Sequence, residues 1–162
     1  MREAGGMDME NKWKQLVLCL AVPLAAGGLS AFLSREGMEG FGALRQPPLS
    51  PPMWLFPVVW TLLFLMMGLA SWLVLREERK RRDVALTVYG IQLFFNFFWS
   101  LLFFRWGLYF AALLWLAALW GLIVWTALLF RRIRPAAGGL LVPYLLWVAF
   151  AAYLNAGVWL LN

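Results

Sequence analysis

The chain has 162 residues, 64% of them hydrophobic and only 14% charged, with a net charge of +6 and a mean hydropathy of +0.75. That balance excludes a disordered chain and an ordinary soluble domain, neither of which combines so little charge with so much apolar surface. The absence of histidine and the single cysteine, Cys19, exclude His-ligated haem, His-metal centres, Ser–His or Cys–His catalytic pairs and any internal disulfide.

Residues 1–11 read as a disordered tail, and residues 12–162 as a single transmembrane domain. Every charged side chain lies outside five apolar stretches, 16–33, 53–75, 84–104, 106–130 and 138–161. Each reaches or approaches the ~20 helical residues that cross ~30 Å of hydrocarbon. A barrel is excluded because the apolar residues run continuously and do not alternate with polar ones. The expected fold is an all-α membrane protein, a five transmembrane helix bundle with a long proline-rich first loop. Its helices are predicted at about 13–33, 52–75, 84–104, 107–130 and 138–161.

The first stretch is too long for a signal-peptide core, and Glu3, Asp8 and Glu10 spoil its basic flank. The connector 34–52 carries Pro47, Pro48, Pro51 and Pro52, which stiffen it into an extended path; Ser50 is the expected N-cap of helix two, with Pro51 in its first turn. Helix two aligns Trp60, Phe64, Met67 and Ser71. Helix three aligns Gln92, Asn96, Trp99, Ser100 and Phe103 on one face. An amide in hydrocarbon is costly unless bonded, so that face looks into the bundle. Little more than Arg105-Trp106-Gly107 joins helices three and four, predicting a tight antiparallel hairpin. Helix five aligns Tyr144, Trp147, Ala151 and Asn155, with a kink expected at Pro143.

Of the 11 tryptophans, Trp13, Trp54, Trp106 and Trp159 suit interfacial belts, whereas Trp60, Trp99, Trp115, Trp120 and Trp147 lie deeper. The deep set suits either bulky interhelical packing or stacking on a flat aromatic ligand. Lys and Arg number eleven on the side of the N-terminus and of connectors 76–83 and 131–134, against three on the other. The positive-inside rule therefore predicts a cytoplasmic N-terminus in a bacterial plasma membrane. The basic residues sit at membrane edges, so no nucleic-acid partner is expected.

Three blocks resemble a known family. They are P-P-L-S-P-P-M-W-L-F-P-V-V-W-T-L-L-F-L-M-M-G-L-A-S from Pro47 to Ser71, Q-L-F-F-N-F-F-W-S-L-L-F-F from Gln92 to Phe104, and P-Y-L-L-W-V-A-F-A-A-Y-L-N from Pro143 to Asn155. Over roughly residues 16–161 the chain looks like the translocator protein/tryptophan-rich sensory protein family, also called peripheral benzodiazepine receptor-like. The resemblance implies a five-helix bundle, often a homodimer, that binds porphyrins and aromatic drug-like ligands in a pocket beneath the first loop. Pocket positions carried over are Pro47, Trp60, Gln92, Asn96, Tyr144, Trp147 and Ala151; Phe64 and Trp99 join them from the helix faces. Some relatives are credited with light- and oxygen-dependent porphyrin breakdown, which would make Trp60 and Trp147 catalytic. Leu49 stands where many relatives have Trp. No Tyr of helix five is followed by Lys or Arg, so the cholesterol-recognition pattern is absent. The expected function is a sensory or regulatory membrane protein for tetrapyrroles, with no cofactor or metal of its own. Photo-oxidative porphyrin degradation and small-molecule or lipid transport are the alternatives. At the pocket mouth, ligand propionates would meet Arg35 or Arg45.

Overall fold

The computed structural model describes residues 3–78 and 80–162. It is helical throughout its ordered elements: α1 Glu3–Phe41, α2 Leu55–Leu75, α3 Arg82–Ser100 continued by a π turn Leu101–Arg105, α4 Tyr109–Ile133, α5 Pro135–Leu140 and α6 Val142–Leu161. Among the described residues, five helical segments are long and apolar enough to cross a membrane, α5 and α6 together forming the fifth. The segments form a closed ring. α1 packs on α2, α2 on α5, α4 on α5 and α6, α3 on α4, and α1 again on α3 and the π turn. Inward faces carry Met67, Val74, Leu116, Ile123, Phe130 and Val148, all fully buried, while Leu62, Phe94, Leu114, Trp125 and Leu146 face outward. That outer surface is what acyl chains accept.

Two expectations about α1 require correction. Residues 3–11, predicted as disordered tail, are helical; residues 1–2 lie outside the described residues. Extending an existing helix carries no nucleation cost, and Lys14 pairs with Glu10 at 2.6 Å one turn apart. At the other end, residues 34–41, predicted as loop, continue the helix. Tertiary contacts draw them on: Ser34 is buried and accepts a hydrogen bond from Ser100 Oγ at 3.1 Å, and Phe41 packs on Phe103 and Phe104 at 5.7 and 5.5 Å. The connector to α2 thus shrinks to residues 42–54.

Ser50 does not cap α2. Its hydroxyl donates to the Pro47 carbonyl at 2.8 Å inside the connector, and α2 starts only at Leu55, with no side-chain cap. The connector lies along α6. Pro47 abuts Gly157, Tyr153 Oη donates to the Pro48 carbonyl at 2.7 Å, and Asn162 exchanges two hydrogen bonds with the Arg45 backbone at 3.0 and 2.9 Å.

The hairpin between α3 and α4 is as tight as expected, occupying residues 106–108. Gly107 takes φ +62° there, a left-handed conformation nearly free of cost only for glycine. The π turn before it shifts the register of the α3 face and presents the Phe104 carbonyl to α1. Gly37 lies against that carbonyl so closely that a Cβ would collide with it. The interruption expected at Pro143 falls at Leu141, two residues earlier: the last span divides there into α5 and α6, and Pro143 sits in the first turn of α6, where its missing N–H costs no helical bond.

Candidate functional site

Aromatic spacing on α2 and α3 builds a ladder of rings. Trp60 stacks on Phe64 at 5.6 Å between centroids and approaches Trp99 at 6.1 Å; Trp99 in turn stacks on Phe103 at 5.6 Å. These separations fall in the range favoured by aromatic quadrupoles. Beside the ladder lies a cavity of ≈ 110 Å³ between α1, α2 and α3, with Ser30, Phe56, Trp60, Asn96, Trp99 and Phe104 in its wall. A dry space of about 150 Å³ holds benzene, so a larger flat guest requires the walls to move. The wall best able to yield is α1. Only 11% of its apolar window is buried, against 33% to 44% in the other four spans.

The expected site residues divide into two groups. Trp60, Phe64, Asn96 and Trp99 line the cavity. Gln92, Tyr144 and Ala151 are buried behind it, and Pro47 is fixed on Gly157. Trp147 is elsewhere, in an outward groove between α2 and α6 with Leu62, Met66 and Phe150; Phe56, which it meets edge-on at 6.0 Å, separates it from the cavity. Neither Arg35 nor Arg45 is in the cavity wall.

Behind Asn96 runs a chain of side-chain hydrogen bonds joining α3 to α6 and α2. Asn96 Nδ2 donates to Tyr144 Oη at 2.7 Å, Tyr144 Oη donates to Gln92 Oε1 at 2.9 Å, and Gln92 Nε2 reaches Met67 Sδ at 3.7 Å. Below it, Trp99 Nε1 donates to Asn155 Oδ1 at 3.3 Å and Asn155 Nδ2 to the Tyr109 carbonyl at 2.8 Å. Asn96, Tyr144, Gln92, Trp99 and Asn155 thereby avoid the cost of standing unpaired in a low dielectric. Trp115 and Trp120 are interhelical ties, donating to the carbonyls of Phe95 at 2.7 Å and Leu145 at 3.2 Å.

The α1 wall was the part not expected from the sequence. Gly27, Ser30, Ala31 and Met38 form it, and Ser30 Oγ donates to the Phe97 carbonyl at 2.8 Å. The available signal was a pair of serines, Ser30 and Ser34, one turn apart at the end of an apolar run.

A family model described as the TspO/MBR family matches residues 19–160. The chain is 42% identical over 157 residues to the tryptophan-rich protein TspO of Chlorobaculum tepidum, a match covering 95% of this chain and 99% of that protein. It is 35% identical to the translocator protein of Ovis aries, over 93% and 92% of the two chains. To the tryptophan-rich sensory protein of Cereibacter sphaeroides it is 33% identical, over 95% of each. With five membrane-length helices in a ring and a match along nearly its whole length, the chain belongs to the TspO/MBR family.

Proposed function

We propose that this integral membrane protein binds flat aromatic ligands, tetrapyrroles foremost, in the cavity between α1, α2 and α3, and that it works as a sensory or regulatory protein and not as a conventional enzyme. The observation that carries this reading is the exposed edge of the ring ladder: Trp60 and Trp99 meet the cavity together with the single amide of Asn96. An apolar wall with a few polar points, here Asn96, Ser30 and Ser100, is the usual form of a small-molecule site. The amide is anchored from behind by Tyr144, so it is held in place for a guest and its orientation costs little on binding. A tetrapyrrole enters by displacing α1 outward. Its carboxylates then extend toward the Met38 end of the α1 wall, where Arg35 lies one helical turn before Met38 and exposed. One relative is named a sensory protein, which supports the sensory reading, and others are named translocator proteins, which keeps transport as its alternative.

Titration of protoporphyrin IX into the detergent-solubilised full chain, followed by porphyrin absorbance, tests the site. Trp60→Phe and Trp99→Phe are each expected to weaken binding by roughly two- to tenfold, the worth of one aromatic pair. Trp147→Phe, outside the cavity, should leave affinity unchanged. Equal affinity in wild type and both cavity variants, or loss only in Trp147→Phe, would refute the assignment.

A further inference from the structure

At the cation-rich end of the bundle, a second hollow of ≈ 270 Å³ is lined by Lys80, Arg81, Leu129, Arg132 and Ile133. Its two components are distinct. Leu129 and Ile133, at 7% and 6% exposure, form an apolar floor on the last turns of α4. Lys80, Arg81 and Arg132 are exposed and bring positive charge from both the α2–α3 connector and the end of α4. Among the described residues, no acid is in the lining. Nearby carboxylates are engaged with other cations, Glu77 with Arg134 at 2.7 Å and Asp83 with Arg82 at 3.2 Å; Glu78 is exposed on the connector and outside the hollow.

Like charges gathered around a concave apolar floor repel one another, and an entering anion relieves that repulsion. The hollow lies where α3 begins and α4 ends, at the depth where hydrocarbon gives way to headgroups. An anion with a hydrocarbon tail satisfies both components, whereas a free anion satisfies only one. We propose that this hollow binds the headgroup phosphate of an anionic glycerophospholipid, with Arg81, Arg132 and Lys80 on the phosphate and the first methylenes of an acyl chain on Leu129 and Ile133. Arginine's planar fork suits phosphate oxygens, and lysine adds a point charge. Basic pockets between membrane helices recognise anionic headgroups by the same chemistry. The site is separate from the aromatic cavity and shares no residue with it.

Native mass spectrometry of the full chain, released from neutral detergent with dioleoylphosphatidylglycerol, dioleoylphosphatidylcholine or inorganic phosphate, tests the proposal. Wild type is expected to retain one phosphatidylglycerol at concentrations where phosphatidylcholine is not retained. Lys80→Gln with Arg132→Gln should weaken retention about 25-fold, each cation contributing a factor of about five. Lys14→Gln with Arg105→Gln removes the same charge elsewhere and should change it far less, while Lys80→Arg with Arg132→Lys should preserve it. Arg81→Gln alone, a milder change, gives the same reading should the double variant fold poorly. Equal retention of phosphatidylcholine, equal loss in both charge-matched doubles, displacement of the lipid by equimolar inorganic phosphate, or an unaffected Arg81→Gln would each overturn the site.

Discussion

Tyr144, fully buried, holds the amides of Asn96 and Gln92 through one hydroxyl. Tyr144→Phe leaves both amides short of a partner and is expected to cost about 1–3 kcal/mol, read as a lower unfolding midpoint in detergent. A double-mutant cycle with Asn96→Ala should return a coupling on the order of 0.6–1.7 kcal/mol, the range for polar pairs between membrane helices. Additive effects would remove Tyr144 from the support of the cavity amide. Leu49 is the opposite case, a side chain under local strain: its φ is +66° and its exposure 84%. Leu49→Asn tolerates that conformation better and should raise thermal stability by up to about 1 kcal/mol, with no change in cavity binding. A lower midpoint would mean that Leu49 makes contacts worth more than its strain.

Among the elements, α1 is the one whose two ends behave differently. Its final turns are held by Ser34 against the end of α3 and by Gly37 and Phe41 against the π turn, while its middle is largely exposed. Gly37→Ala drives a methyl into the Phe104 carbonyl, and overpacking against backbone is expected to cost about 1–3 kcal/mol. Gly28→Ala meets nothing and should instead stabilise the helix by up to about 1 kcal/mol. Thermal unfolding of the pair in one detergent separates a packing requirement from simple helix propensity. If both stabilise, α1 is not seated on the π turn. The contrast bears on the proposed binding, because α1 supplies Gly27, Ser30, Ala31 and Met38 to the cavity wall.

At the scale of the whole molecule, an odd number of crossings puts the two ends of the chain on opposite faces. The cation asymmetry is the ground for proposing that, in a bacterial plasma membrane, the N-terminus and the basic connectors face the cytoplasm. In a Cys19→Ser background, a membrane-impermeant maleimide applied to intact bacterial cells should label Asn162→Cys and spare Glu10→Cys. The reverse pattern would invert the orientation and with it the leaflet served by the Lys80–Arg132 hollow.

Membrane insertion, the number of crossings and the short α3–α4 hairpin were all determined by the sequence alone, because in hydrocarbon every charge must lie outside the apolar runs and every amide must be paired within its own segment. The inward face of α3 followed likewise, since Gln92 and Asn96 could not face lipid. Which aromatic rings share one hollow was not legible. Trp60 and Trp147 have the same chemistry and each sits on a face with polar neighbours, yet only Trp60 reaches the cavity. The helical course of residues 34–41 was equally hidden, being held by contacts some 60 to 70 residues away in sequence. Periodicity reports which face of a helix is buried, but the rotation of one helix against its neighbours, and hence what a buried ring touches, is decided only when the helices pack.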